Sequence, residues 1–296
     1  MGVADRAWVV LGTPFRCLGV PAEVQQELAA LLQGFPILQL PQQPQPPPDD
    51  AVSLRLEPNG GGAFLLTDGR GCRWDLAGSA APLSSHLEYR LVDEAIQRAA
   101  GHWVLHAGAV ASPGGTCLIV GESGAGKTSL ALWLWASGLR LVTDDLCPLR
   151  RGALTPEVFP RALHMDAEYS PRLLARLPPR PPSYPAAHYP FPAPEPESPP
   201  PPPITSLLVL ERGPDPEGAL EPLSQSEATH HLLKAVIKSP AFSFGEALAD
   251  MLRLARCCRG YRLRSATPEG AAERALAAMT AMTAPLSAGQ VAGPTP

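Results

Sequence analysis

Thr116-Cys-Leu-Ile-Val120 runs directly into Gly121-Glu-Ser-Gly-Ala-Gly-Lys-Thr128, and this junction governs how the chain is read. Residues 121–128 fit G-x-x-x-x-G-K-[ST], a loop whose backbone cradles phosphate groups. Glycine is required where the backbone turns through conformations closed to a side chain, so that successive N–H groups converge on phosphate oxygens. Lys127 supplies a compact positive charge for β- and γ-phosphates, and Thr128 offers a hydroxyl to Mg²⁺. The flanks have the order that the motif demands. Leu118, Ile119 and Val120 predict a buried strand before the loop, and 128–137 a helix ended by Gly138. The chain has three lysines (Lys127, Lys234, Lys238) against 21 arginines. A sequence that otherwise uses arginine keeps lysine in the loop, where a point charge is wanted rather than a planar fork.

Outward from the loop, Leu139–Thr143 predicts a strand that ends at Asp144-Asp145. Carboxyl ends of strands in α/β sheets open onto the ligand crevice, so both carboxylates face the phosphates if the sheet is parallel there. One could take a proton from an acceptor hydroxyl while the other supports Mg²⁺. Alone, Asp-Asp reads as a turn or helix cap; one element after a phosphate loop, chemistry is the better reading. On the other side, Trp103–Ala111 predicts a strand carrying His106, 15 residues before Gly121. A lone histidine on an apolar strand is ordinarily a core residue. His86, His102, His164, His188, His230 and His231 are read in that way.

Composition narrows the function classes. The 296 residues accommodate one large or two small domains, and the 45% apolar fraction suffices for an ordinary core. A net charge of −4 without a Lys/Arg-rich block argues against nucleic-acid binding, and the arginines of 253–264 read as a solvated face. None of the six cysteines forms a C-x-x-C pair, which predicts reduced thiols in the cytoplasm. Met1–Arg6 has neither a signal-peptide nor a myristoylation pattern, and no apolar stretch approaches the ~20 residues that span a bilayer.

The segment 1–101 predicts an α+β domain for recognition or scaffolding. It has helices at Pro21–Gln33 and Leu83–Gly101 and strands at Ala51–Leu56, Gly62–Thr67 and Cys72–Asp75. Residues 102–284 predict the nucleotide domain. Leu146–Arg150 and Leu154–Val158 read as a hairpin across Arg151-Gly152, and Ile204–Glu211 as a buried strand. Ser224-Gln-Ser-Glu227 is a capping box for a helix to about Lys238. Phe244–Cys258 reads as a helix, Tyr261–Arg264 as a strand, and Thr267-Pro268 opens the last helix. Pro41–Pro48 reads as a surface connection and 285–296 as a disordered tail. Pro178–Pro203, with 14 prolines in 26 residues, predicts a mobile, partly extended spacer loop.

Taken together, Leu105-His106-Ala107-Gly108-Ala109-Val110, the phosphate loop and Leu141-Val142-Thr143-Asp144-Asp145 resemble the catalytic domain of HPr kinase/phosphorylase, and more closely its HPr-kinase-related relatives. The runs Val158–Leu163 and Tyr261–Leu263 look like further shared segments. The resemblance covers about 102–280 and is specific across 105–145. It implies an α/β P-loop kinase core of the phosphoenolpyruvate-carboxykinase-like type, a mixed sheet with flanking helices. It further implies ATP- and Mg²⁺-dependent transfer to a serine of a protein or peptide. Gly121, Glu122, Ser123, Gly124, Ala125, Gly126, Lys127, Thr128 and Ser129 would bind the nucleotide. Thr128 and Asp145 would hold the metal, Asp144 would act as general base with Asp145 in support, and His106 would contact the transferred phosphate or the base. Hexamers in the resembled family imply self-association. The glycine-rich signature that follows Asp-Asp in the founding enzymes has no counterpart here, and Glu157 and Glu168 are the candidates for their downstream metal-binding acid. Two other classes remain open: a nucleotide-binding accessory protein in a peptide-modification pathway, and a small-molecule kinase or NTPase.

Overall fold

The computed structural model describes residues 6–39, 52–61, 63–68, 71–76, 80–165, 171–181, 184, 188–192, 199–215 and 218–283. The expected surface connection at 41–48, the tail at 285–296 and Glu168 lie outside them. The chain opens with β1 (Arg6–Val10) and β2 (Thr13–Leu18), an antiparallel pair turned through Leu11 and Gly12, both at positive φ. α1 (Ala22–Leu31), β3 (Ile37–Gln39), β4 (Val52–Pro58), β5 (Phe64–Thr67), β6 (Arg73–Leu76) and α2 (Ala80–Arg98) follow. The strands form one sheet in the order β3-β1-β2-β4-β5-β6, antiparallel except for the β2–β4 pair. The core on this sheet joins Val24 and Leu28 of α1 and Leu87 and Leu91 of α2 with Trp8, Phe15 and Leu54. Burial of each such side chain contributes about 1.5–3 kcal/mol.

The second half comprises β7 (His102–His106), β8 (Gly108–Ser112), β9 (Gly115–Gly121), α3 (Lys127–Ala136), β10 (Arg140–Thr143), β11 (Leu146–Arg150), β12 (Leu163–His164), α4 (Pro171–Leu174), β13 (His188–Tyr189), β14 (Ile204–Arg212), β15 (Ala219–Pro222), α5 (Gln225–Ala235), α6 (Phe244–Cys257), β16 (Arg259–Ser265) and α7 (Pro268–Thr283). Six of these strands make a mixed sheet, β10-β8-β9-β14-β16-β15. Both faces of this sheet are covered, which explains the unbroken apolar runs in β9 and β14. Leu118, Val120, Leu207 and Val209 pack toward α5 and α6, whereas Cys117, Ile119, Leu208 and Leu210 pack toward α3 and α7. The architecture is therefore α/β, with mixed sheets and flanking helices.

Strand direction sets up the site. β9 runs parallel to β14, and β14 parallel to β16. β8 is antiparallel to both β9 and β10. Two reversals return β10 to the direction of β9, so Asp144 leaves the sheet at the same edge as Gly121.

Three expectations need correction. Trp103–Ala111 is broken at Ala107: β7 leaves the main sheet to pair with β11, while β8 stays in it. The break is fixed by the Ala107 N–H, which donates to the Asp145 carbonyl at 2.8 Å. Leu154–Val158 is not a strand. Leu154 has φ +55° and Pro156 has no N–H to donate, so only an isolated Leu149–Pro156 bridge forms. The spacer reading of Pro178–Pro203 also fails among the described residues. Tyr184, Tyr189 and Phe191 are buried, Tyr184 Oη donates to Ala30 O at 2.8 Å, and the Pro202 and Pro203 carbonyls accept from Thr116. Aromatic side chains between the prolines give this segment something to bury.

Other expectations hold within a few residues. Ser224 and Glu227 form the full capping box of α5. Arg262 and Arg264 are paired with Glu211, Glu221 and Glu227, and Arg253 with Asp250. No helix among the described residues is long and apolar enough to cross a membrane.

Candidate functional site

The loop between β9 and α3 has the backbone that its glycines allow. Gly124 and Gly126 sit at φ +74° and +98°, in the left-handed region. Gly121 answers a different demand, because a Cβ there would lie 2.5 Å from the Leu210 carbonyl oxygen of β14. Glu122, Ser123 and Gly124 are exposed, Ala125, Gly126, Thr128 and Ser129 are half-buried, and Lys127 is buried. Lys127 Nζ donates to the carbonyls of Gly121 and Glu122, each at 3.1 Å. Burial lowers its pKa, against the opposing charge of Asp145.

Asp144 and Asp145 face different partners. Asp144 is 4% exposed and lies beside the Thr128 side chain. Gly108 leaves room for its backbone, since a Cβ there would approach the Asp144 carbonyl oxygen to 3.1 Å. Burial, followed by the charge of Asp145, pushes its carboxyl up to about 7, against Arg161 and the neighbouring Thr128 hydroxyl. Asp145 is more open. Its Oδ1 lies 3.0 Å from His106 Nδ1 and its Oδ2 3.6 Å from an Arg161 nitrogen. Burial would raise its pKa, but the hydrogen bond and charge of His106 and the charges of Arg161 and Lys127 hold it below the usual carboxylate range. Thus the sequence pair divides by environment into a buried acid beside Thr128 and a more open one flanked by His106 and Arg161.

Beside the loop lies a cavity of about 1050 Å³ walled by Gly121–Ala125, the end of β14 and one face of α5, with His106 on its rim. Its size suits a nucleotide-sized ligand with room for a second reactant. Gly126, Lys127, Thr128, Ser129 and the two aspartates lie outside its lining, beneath the loop. Arg212 donates to Gly124 O at 2.9 Å, and Lys234 lies 3.7 Å from Glu122. His231, one turn before Ala235 on α5, also lines the cavity.

The structure therefore brings together the loop, His106, Asp144 and Asp145. Glu157 does not join them: it contacts His102 at 3.1 Å and Arg150 at 2.5 Å, at the far end of β7 from His106. Among the described residues, no group of three or more His, Cys, Asp or Glu could hold a metal ion. Thr128 and Asp144 lie side by side and offer a hydroxyl and a carboxylate, oxygen donors of the kind Mg²⁺ takes beside waters and phosphates. Asp145, the expected ligand, has its oxygens turned to His106 and Arg161 instead.

Sequence reading missed Arg161, Glu88, Arg212, His231 and Lys234. Glu88 carried a signal: with Ser84, Leu91 and Ala95 it lies on one fully buried stripe of α2, where a carboxylate needs a partner. No protein-family model matches the chain, and no similar protein was found among curated sequences.

Proposed function

We propose that this protein is an ATP- and Mg²⁺-dependent kinase that transfers the γ-phosphate to a serine hydroxyl of a protein or peptide. The observation that carries the reading is the convergence, at one sheet edge, of a glycine loop with Lys127, a Thr128–Asp144 pair and a His106–Asp145–Arg161 cluster. Phosphoryl transfer requires neutralised charge and held geometry more than covalent chemistry, and these groups supply both. The reading is supported by the mixed sheet with helices on both faces, the architecture that the resemblance to a phosphoenolpyruvate-carboxykinase-like P-loop core implies.

Backbone N–H groups of the loop would bind the phosphates. Lys127, now bonded to two loop carbonyls, would exchange them for β/γ oxygens. Thr128 and Asp144 would hold Mg²⁺, which would supply positive charge toward the β- and γ-phosphates. This division of labour reverses the expectation from sequence, since Asp145 is the more open acid and bears His106. Asp145 would accept the serine proton, with His106 orienting its Oδ1 and Arg161 its Oδ2. Six free cysteines agree with a reducing, ATP-containing compartment such as the cytoplasm.

The test is incubation with γ-labelled ATP, Mg²⁺ and serine-containing protein and peptide acceptors, followed by phosphoamino-acid analysis. Labelled phosphoserine supports the reading. ADP and free phosphate without labelled acceptor would reduce it to an NTPase, and ATP binding without turnover would favour the accessory-protein reading.

A further inference from the structure

The cavity beside the loop has two chemically separate ends. His106, with Asp145 and Arg161 behind it, marks one. At the other, the end of β14 meets α5. Leu210 of β14 stands opposite Gly121, so Glu211 and Arg212 lie at the level where the loop begins. Side chains alternate along a strand. Leu208 and Leu210 pack toward α3 and α7, and Val209 toward α5 and α6. Glu211 follows Val209 to the α5 side and lines the cavity, while Arg212 reaches Gly124 O at 2.9 Å.

Glu211 is held in place without being used up as an acceptor. Arg262 Nε and Arg264 Nε donate to its two oxygens at 3.1 and 3.0 Å. Those arginines are fixed in turn by Glu227 and Glu221, and their charges offset that of Glu211 toward a bound phosphate. A carboxylate has about four acceptor positions, so about two are left for a ligand. On α5, Glu227, His231 and Lys234 recur at helical spacing. The helix that anchors Arg262 therefore also presents His231 and Lys234 to the same cavity.

In-line transfer puts the attacking and leaving oxygens on opposite sides of the γ-phosphorus. With Asp145 and His106 on the acceptor side, the nucleoside leaves the loop toward β14 and α5. The open space runs in the same direction. We propose that this end of the cavity is the nucleoside subsite: Glu211 accepts hydrogen bonds from the ribose hydroxyls, and the His231 ring is the platform for the base. An acidic side chain serves ribose in the same way in dinucleotide-binding sheets, and a flat imidazole is a surface on which a base can stack. The proposal rests on the kinase reading for the identity of the ligand, whereas binding at this wall does not require that phosphate reach a serine.

Isothermal titration of the full chain with Mg²⁺ compares three probes: ATP, 2′-deoxy-ATP and inorganic tripolyphosphate. Wild type should bind ATP about 10–100 times more tightly than 2′-deoxy-ATP, as loss of a hydrogen bond to a charged acceptor costs. Glu211→Ala should bring the two affinities to within about twofold of each other, and tripolyphosphate affinity should not fall. His231→Ala should weaken ATP and 2′-deoxy-ATP alike, by about tenfold, and spare tripolyphosphate. Lys127→Ala should weaken all three, because it acts on phosphate. If Glu211→Ala does not fold, Glu211→Gln keeps the shape, loses the charge and should lower the wild-type preference toward one. A wild type that binds ATP and 2′-deoxy-ATP equally, or a folded Glu211 variant with the wild-type preference, overturns the subsite and leaves the phosphate loop standing. Unchanged nucleotide affinity in a folded His231→Ala overturns the platform. A wild type that binds none of the three probes overturns the loop and the subsite together. A preference for ATP that vanishes in the Glu211 variants supports the subsite even where no phosphoserine forms, and the kinase reading alone then falls.

Discussion

Replacing Asp144 by Asn removes a carboxyl whose burial, and next the charge of Asp145, raise its pKa from 3.8 to about 7. In the unfolded chain the group ionises near 3.8; in the folded protein it keeps its proton until about 7. Between these values the folded state holds the extra proton, so the contribution of Asp144 is fully present below pH 3.8 and is lost as pH rises to about 7. Three units correspond to on the order of 4 kcal/mol. Asp145, whose pKa is lowered, acts in the opposite sense and only below pH 3.8. The Asn variant should therefore melt with wild type near pH 4 and above it at pH 8. For a chain of this size the gap at pH 8 should be roughly 10 °C. The assay is thermal melting by circular dichroism from pH 4 to 8 in chelator, repeated with Mg²⁺. With the ion, wild type at pH 8 should gain stability that the variant does not, since the anionic ligand is gone. A melting difference that is the same at every pH would refute the reasoning, because it would mean that Asp144 is ionised throughout.

Gly121→Ala would force a Cβ to within 2.5 Å of the Leu210 carbonyl. It should part β9 from β14 at the loop, lower the melting temperature by several degrees and weaken ATP binding measured by calorimetry; unchanged values for both would mean that the strand edge yields freely. Replacing Pro178–Pro203 by a short Gly/Ser linker discards the buried Tyr184, Tyr189 and Phe191. At about 1.5–3 kcal/mol for each buried side chain, the melting transition should fall by more than 10 °C or lose cooperativity; a shift of only a few degrees would restore the spacer reading.

What was legible in the sequence is local. The glycine loop with its left-handed residues is legible because Gly124, Gly126 and Lys127 answer demands met within eight residues. The α5 capping box is legible because Ser224 and Glu227 satisfy each other three residues apart. The strand pair β1–β2 was missed although Leu11-Gly12 turns it, because a short apolar run on each side shows no period to tell strand from helix. The break at Ala107 was invisible, since both halves of the run are apolar and only the Asp145 carbonyl distinguishes them. The different surroundings of the two aspartates were beyond local reading for a similar reason. Thr128 and His106 select one carboxylate each through contacts made only once α3 and β7 are packed. Arg161 and Glu88 are 73 residues apart and meet only because the segment after β11 crosses to α2.

The central claim is that Asp145 serves as base while Lys127, Thr128 and Asp144 handle the nucleotide and its metal. Asp145→Asn is nearly isosteric and leaves Lys127 bonded to its two loop carbonyls. The direct measurement is transfer of labelled γ-phosphate to a serine acceptor by this variant, run beside ATP–Mg²⁺ binding. ATP should bind within a few-fold of wild type, and phosphoserine should form about 10²–10⁴ times more slowly, as loss of a general base costs. Transfer at the wild-type rate with normal binding would contradict the account.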